Sequence, residues 1–418
     1  MVRAPMARVL LAAAVLAACG DPAVDRAPAA GLSIGELLGG ADTLHARAIE
    51  PREFTFPRDH GPHPEFRTEW WYFTGNLTAD DGTMLGYQLT FFRSALTDSA
   101  SFVSAGGGDG SAWRARHAYM AHFAVTDGSR GQFHAAELFS RDAAGLAGAL
   151  SNGSGSGVVS AVVRQPRLRN GISDASAGDV SGLHVWLHNW SAISLSYETL
   201  PLRLRAVDGN IAIDLVLEAG KPVVLQGDRG LSRKGAEPGN ASYYYSLTRM
   251  PTFGSVRTRA GTWTVTGASW LDREWSTSVL SPGVTGWDWL SLQLSDFTEL
   301  MMYRLRRDDR TVDPFSAATF VAADGSTLGF TADEFVMTPV TEWRSGDGVS
   351  YPIGWRIEVP SLDLALDIMT PVPNQELDLA VRYWEGMVRA TGTRDGRPVS
   401  GRGYLEMTGY AATPGQAR

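Results

Sequence analysis

Apolar and polar positions alternate with a period of two through much of this chain, the pattern of half-buried β-strands. Ile211, Ile213, Leu215 and Leu217 would share one strand face. Leu362, Leu364, Leu366 and Ile368 would share another, with Asp363 and Asp367 opposite. Tyr87-Gln88-Leu89-Thr90-Phe91-Phe92 also alternates, although both of its faces are fairly apolar. Turn signals separate such runs: Asp80-Asp81-Gly82, Asp208-Gly209-Asn210, Asp324-Gly325 and Asp395-Gly396. No long segment has helical periodicity. The pattern predicts an all-β protein.

Two further runs carry candidate chemistry. In Leu183 to Trp190, read as one strand, His184, Trp186, His188 and Trp190 would line one face. Flat amphipathic rings in a row suit either inter-sheet packing or the wall of a pocket for an apolar ligand, with Trp186 and His188 as contacts. Trp270-Leu271-Asp272-Arg273-Glu274-Trp275 sets two carboxylates on one strand face, roughly 6.6 Å apart along the backbone. Trp270 shares that face. A carboxyl beside indole rings is partly desolvated, which raises its pKa and lets it hold a proton near neutrality. The structural alternative is a salt-bridged strand in which Arg273 and other arginines neutralise both acids. Other acids also stand beside aromatics: Glu69 before Trp70-Trp71, Asp288 between Trp287 and Trp289, Glu385 after Tyr383-Trp384, and Glu406 after Tyr404. Their number suggests a shared aromatic cavity with acids in its wall.

Composition narrows the alternatives. The chain has 418 residues, 44% of them hydrophobic, enough to bury two cores of ordinary size. Thirteen Trp, 16 Phe, 46 Gly and 21 Pro fit many short strands joined by turns. The start reads as an export signal, with Arg3 and Arg8 ahead of the apolar run Val9 to Ala18, which is too short to span a bilayer. Leu16-Ala17-Ala18-Cys19 resembles a bacterial lipobox, so Cys19 is the expected site of lipidation, on either envelope membrane. Cys19 is the only cysteine, which excludes an internal disulfide, thiol catalysis and cysteine metal sites. Loss of Arg3 and Arg8 with residues 1–18 takes the formal charge from −8 to −10 and argues against nucleic acid as a partner. Only Lys221 and Lys234 are lysines among 37 basic residues, and both fall in one short stretch.

Several chemistries lack their signatures. There is no G-x-S-x-G elbow, dinucleotide fingerprint or P-loop. His184 and His188 would lie ~13 Å apart on a strand, too far to share a metal ion. The expected organisation is a signal peptide over 1–18, a flexible tether over 19–50, one β domain over 51–250, a second over 251–412, and a tail over 413–418. A faint repeat supports two related halves: each pairs an aromatic-acid strand (Glu69 to Tyr72; Trp287 to Trp289) with a following strand that carries arginine (Arg93; Arg304 and Arg306).

The ordered motifs resemble a known family. Glu69-Trp70-Trp71-Tyr72-Phe73-Thr74-Gly75, Gln88 to Arg93, Leu225-Gln226-Gly227, Gly230 to Gly235, Tyr243 to Ser246, Trp270 to Trp275, Gly286 to Trp289, Tyr383 to Gly386 and Gly403 to Glu406 are similar, in order, to those of the AttH-like, lipocalin-like family. That family includes carotenoid 1,2-hydratases (hydroxyneurosporene synthases) and bacterial proteins labelled secreted hydrolases. The resemblance implies two lipocalin-like antiparallel β-barrels packed together, with a ligand site in or between them. In the carotenoid hydratases the acid site resembles a His-x-Trp pair followed by a Tyr-x-Asp pair. This chain has Tyr243-Tyr244-Tyr245 and Trp270-Leu271-Asp272 at that spacing, so the aspartate is kept and the histidine is not.

The expectation is therefore an envelope-anchored, monomeric protein that adds water to a C=C bond of an apolar, isoprenoid-like substrate by acid catalysis, without metal or organic cofactor. Asp272, Glu274 and Glu385 are its expected catalytic carboxylates. Tyr243, Tyr245, Trp270, Trp287, Asp288 and Trp289 join Trp186 and His188 as substrate contacts. A non-catalytic carrier of lipid or isoprenoid is the main alternative, and a hydrolase using an Asp or Glu general base is another.

Overall fold

A computed structural model describes residues 44–96, 115–150, 182–196, 198–278 and 280–411. Cys19, the leader and the first part of the expected tether lie outside these residues. The described part of that tether packs on the body: Ala48 is buried, and Tyr243 donates to the Glu50 carbonyl at 2.9 Å.

Two antiparallel sheets make up the fold, one curling into a nearly closed barrel and the other into a half-barrel. Among the described residues the first sheet has 13 strands. Its centre is Met84–Ala95, Thr68–Ala79, Gly261–Ser276 and Ala241–Thr258, each hydrogen-bonded to the next. The second has 10 strands among the described residues, centred on Glu299–Arg307, Val284–Leu294, Arg397–Thr408 and Tyr383–Arg394. The expected division at 250/251 falls inside the 241–258 strand, which continues across it without a break. The chain passes to the second sheet only between Ser276 and Val284.

Strand parity explains why the central strands are apolar on both faces. In Thr68–Ala79, Trp71, Phe73 and Leu77 point into the first barrel, where they meet Leu85, Leu89, Phe123 and Leu271. Trp70 and Tyr72 point outward, yet they too are covered, because the second barrel packs against that face. In Val284–Leu294 the pattern repeats. Leu290, Leu292 and Leu294 fill the second barrel, while Trp287 and Trp289 face the first. A third apolar cluster thus lies between the barrels, made of Tyr72, Tyr244, Trp270, Trp289, Met301, Tyr303 and Leu305. Burial of apolar surface, worth roughly 25 cal/mol per Å², holds the barrels face to face.

The opening hairpins of the two sheets share a device. Glu69 stands opposite Arg93 in one, and Asp288 opposite Arg304 in the other. Both acids are fully buried and ion-paired with those arginines.

The run Leu183 to Trp190 is not one strand. It divides into His184–Leu187 and Trp190–Ser194, a hairpin turning at His188 and Asn189, with His188 at φ 53°. A polar pair ending in Asn, at a two-residue turn that needs positive φ, overrides the alternation there. Trp190 then packs into the barrel core, and Trp186 donates to the Gly145 carbonyl at 3.1 Å.

Candidate functional site

Between the barrels lies a pocket of about 100 Å³. The first sheet contributes Trp70, Tyr72, Tyr244, Asp272 and Glu274. The second contributes Trp287, Trp289, Tyr303 and Glu406, and Lys234 with Leu280 come from loops at its edge. Neither barrel forms this site alone.

Asp272 is its chemical centre. Oδ1 accepts from Ser246 Oγ at 2.6 Å and from Trp270 Nε1 at 2.6 Å, and Oδ2 accepts from the Tyr244 hydroxyl at 2.5 Å. Every donor is neutral, and no guanidinium or ammonium pairs with it among the described residues. Burial therefore dominates. It pushes the Asp272 carboxyl up to about 7, against the lowering pull of Ser246, Tyr244 and Trp270. Near neutrality the group is thus divided between acid and carboxylate. Oδ1 already serves two donors, so the proton belongs on Oδ2, where it points at the Tyr244 oxygen. Trp289 Nε1 donates to that same oxygen at 3.2 Å, which leaves the Tyr244 O–H free to turn into the pocket.

Glu406, on the facing barrel, repeats this environment. Its Oε1 accepts from Trp287 Nε1 at 2.6 Å, and burial raises it to about 7. Glu385 stands directly opposite Glu406 across the 383–394 and 397–408 strands. Burial and then the Glu406 charge raise it well above the usual carboxylate range. It is hydrogen-bonded to the Tyr72 hydroxyl, and its Oε2 has no partner among the described residues. Glu385 does not line the pocket and reaches it only through Tyr72. Glu274 accepts from Ser242 Oγ and has Lys234 Nζ 3.6 Å away.

The expected site residues therefore divide. Asp272, Glu274, Trp287 and Trp289 line one pocket, with Trp270 directly behind Asp272. Tyr243 and Tyr245 lie on the opposite face of their strand, packed with Phe54, Phe66 and Trp275, and it is Tyr244 that meets Asp272. Parity requires this, because Tyr244 and Ser246 pair with Glu274 and Asp272 across the sheet. Asp288 points into the second barrel, bound by Arg304, Arg306 and Tyr410. Trp186 and His188 belong to the hairpin near the far edge of the first sheet and do not reach the pocket. Lys234, Ser242, Tyr244 and Tyr303 were missing from the expected set. Of these, Lys234 carried a signal as one of two lysines in an arginine-rich chain, and Tyr244 lay inside the Tyr243 to Ser246 motif.

Comparison with known proteins agrees with this architecture. A family profile described as AttH-like matches residues 47–410. The crystal structure of a protein of Nitrosomonas europaea described as an AttH superposes with a TM-score of 0.69. It is 31% identical and covers 88% of this chain and 100% of its own. Kievitone hydratase from Nectria haematococca superposes with a TM-score of 0.60 at 16% identity, over 90% of this chain and 97% of its own, a likeness of fold. No curated protein matches the sequence.

Proposed function

The chain belongs to the AttH-like family, and from that premise we propose that it adds water to a carbon–carbon double bond of an apolar, isoprenoid-like substrate held between its two barrels. The observation that carries this reading is Asp272: a buried carboxyl raised to about 7, bonded only to neutral donors, in a pocket walled by tryptophan and tyrosine. A carboxyl poised near the working pH is suited to general acid catalysis, worth about 10²–10⁴ in rate. A kievitone hydratase shares the fold, so hydration is a chemistry this architecture can house, and it is the site that supports it in this chain.

Asp272 Oδ2–H gives its proton to the Tyr244 oxygen while the Tyr244 O–H protonates the less substituted alkene carbon. The π pair forms the new C–H bond and leaves a cation on the more substituted carbon. The negative ring faces of Trp287 or Trp289 stabilise that cation by ~0.5–2 kcal/mol per contact. A water lone pair forms the C–O bond, and the proton it sheds passes to the Glu274 carboxylate. Exchange with solvent returns a proton to Asp272. Glu406 is a second carboxyl able to hold a proton on the facing wall. The lipobox-like Leu16 to Cys19 supports placing this activity at a cell-envelope membrane.

The test is turnover of an isoprenoid alkene panel in ¹⁸O-labelled water by wild type and Asp272→Asn. Label should enter the wild-type product, and the variant should lose about 10²–10⁴ in rate. Equal turnover by the two proteins overturns the assignment.

A further inference from the structure

The two lysines of this chain are held in opposite ways. Lys221 donates to Glu299 at 2.8 Å and to the carbonyls of Phe297 and Ala322 at 2.5 and 2.7 Å, so all three of its N–H bonds are used. Lys234 has only 14% of its side chain exposed and lines the pocket between the barrels. Its Nζ is held by Glu274 and Tyr303 alone among the described residues. Glu274 lies 3.6 Å away, and the rings of Tyr303 and Tyr244 are 4.0 and 5.4 Å from it. Burial opposes its charge, but Glu274 and Tyr303 outweigh burial and raise its pKa, so it stays an ammonium. Of the three N–H donors of the ammonium, Glu274 and Tyr303 engage two, and the third is costly in an apolar pocket unless something accepts from it. Tyr303 supplies a second polar atom at this end, since its hydroxyl lies 3.1 Å from Ser232 Oγ.

We propose that Lys234 and Tyr303 form a subsite for an uncharged oxygen of the substrate, a hydroxyl or carbonyl, so that the ligand is an oxygenated alkene rather than a pure hydrocarbon. The proposal deepens the hydration reading by naming the class of substrate. Charge selects the neutral form. Glu274, Asp272 and Glu406 crowd the same pocket and disfavour a carboxylate ligand. Geometry sets the distance between the two ends. Glu274 and Asp272 share one strand face, roughly 6.6 Å apart along the backbone. The oxygen held beside Glu274 is therefore several bonds from the alkene that meets Asp272 and Tyr244.

Direct binding tests this without requiring turnover. Intrinsic tryptophan fluorescence of the full chain is titrated at pH 8 with farnesol, farnesoic acid and farnesene, which share a carbon skeleton and differ in oxygen. Wild type should bind farnesol about tenfold or more tighter than farnesene, as a hydrogen bond to a charged donor implies, and tighter than farnesoic acid. Lys234→Met should erase the preference for farnesol over farnesene. Lys234→Gln, which keeps a donor without charge, should fall between them, and it serves as the comparison if the Met variant does not fold. Equal binding of farnesol and farnesene by wild type overturns the proposal, as does an unaltered preference in either variant. The hydration reading stands or falls separately, on Asp272→Asn turnover.

Discussion

Glu69 and Asp272 sit on adjacent strands of one sheet, and both are buried, yet they are opposite kinds of carboxylate. Glu69 points into the end of the first barrel. There Arg93 and Arg273 pair with it, the His63 backbone N–H donates to it, and Arg273 is stacked 4.0 Å over Trp71. Burial would raise its pKa, but the two guanidiniums outweigh burial and hold it well below the usual range. Asp272 points out of the same barrel toward the second, where Tyr244, Ser246 and Trp270 offer hydrogen bonds without charge. Burial then wins, and the group stays protonatable near neutrality. Asp288 and Glu406 repeat the contrast in the second barrel: one is bound by arginines inside it, the other faces the pocket beside Trp287. What separates a structural acid from a reactive one here is the charge of its partners, since burial is common to both.

The largest effect should come from breaking the structural acid. Glu69→Gln leaves Arg93 and Arg273 buried without a counter-charge, which costs about 3–5 kcal/mol. The melting temperature should fall by roughly 10 °C. A melting curve unchanged from wild type would remove the contrast. Asp272→Asn should do the reverse, leaving folding intact while turnover drops by about 10²–10⁴. The amide reproduces the protonated acid, because its oxygen accepts from Ser246 and Trp270 while its N–H donates to Tyr244.

Stability against pH should separate the two acids by sign. Glu69 has a depressed folded pKa, so its contribution is present above the ordinary carboxylate pKa and is lost as pH falls through the folded value. Asp272 and Glu406 have folded values raised to about 7. Their contribution is full below the ordinary carboxylate pKa and is lost as pH rises from about 4 through 7. Urea unfolding of wild type should therefore show a loss over that window, and Asp272→Asn should shrink it by about 1–4 kcal/mol. An identical pH profile in the variant would argue that Asp272 is an ordinary carboxylate.

Ser246→Ala removes one donor from Asp272 and should raise its pKa further, by roughly one unit. Activity needs the protonated acid, so the alkaline limb of the rate profile should move up by the same amount. Tyr243→Phe should have the smallest effect. It removes a hydrogen bond to Glu50 on the face away from the pocket, at about 1 kcal/mol or less, and should leave activity unchanged. A large loss of turnover in that variant would mean that the wrong tyrosine has been placed beside Asp272.

Much of this molecule was legible from alternation alone. The β architecture and the shared face of Asp272, Glu274 and Trp270 follow from a period of two, a local geometric property, while the two packed barrels were implied by the family resemblance. The same property could have separated Tyr244 from Tyr243 and Tyr245, but parity becomes a choice of face only once the register of the 241–258 and 261–276 strands is known. His188 misled for a related reason, because a two-residue hairpin turn interrupts a pattern that reads as continuous.

The chain by itself determined that it would form strands and that acids would stand beside aromatic rings. Tertiary structure decided which of those acids keeps a proton. A carboxyl's pKa depends on the charges and hydrogen-bond donors within a few ångströms, and those arrive from distant sequence: Arg93 lies 24 residues from Glu69, Arg273 204 residues, and Trp287 119 residues from Glu406. The pocket exists only because the outward faces of two barrels meet, and neither half of the sequence encodes that meeting alone.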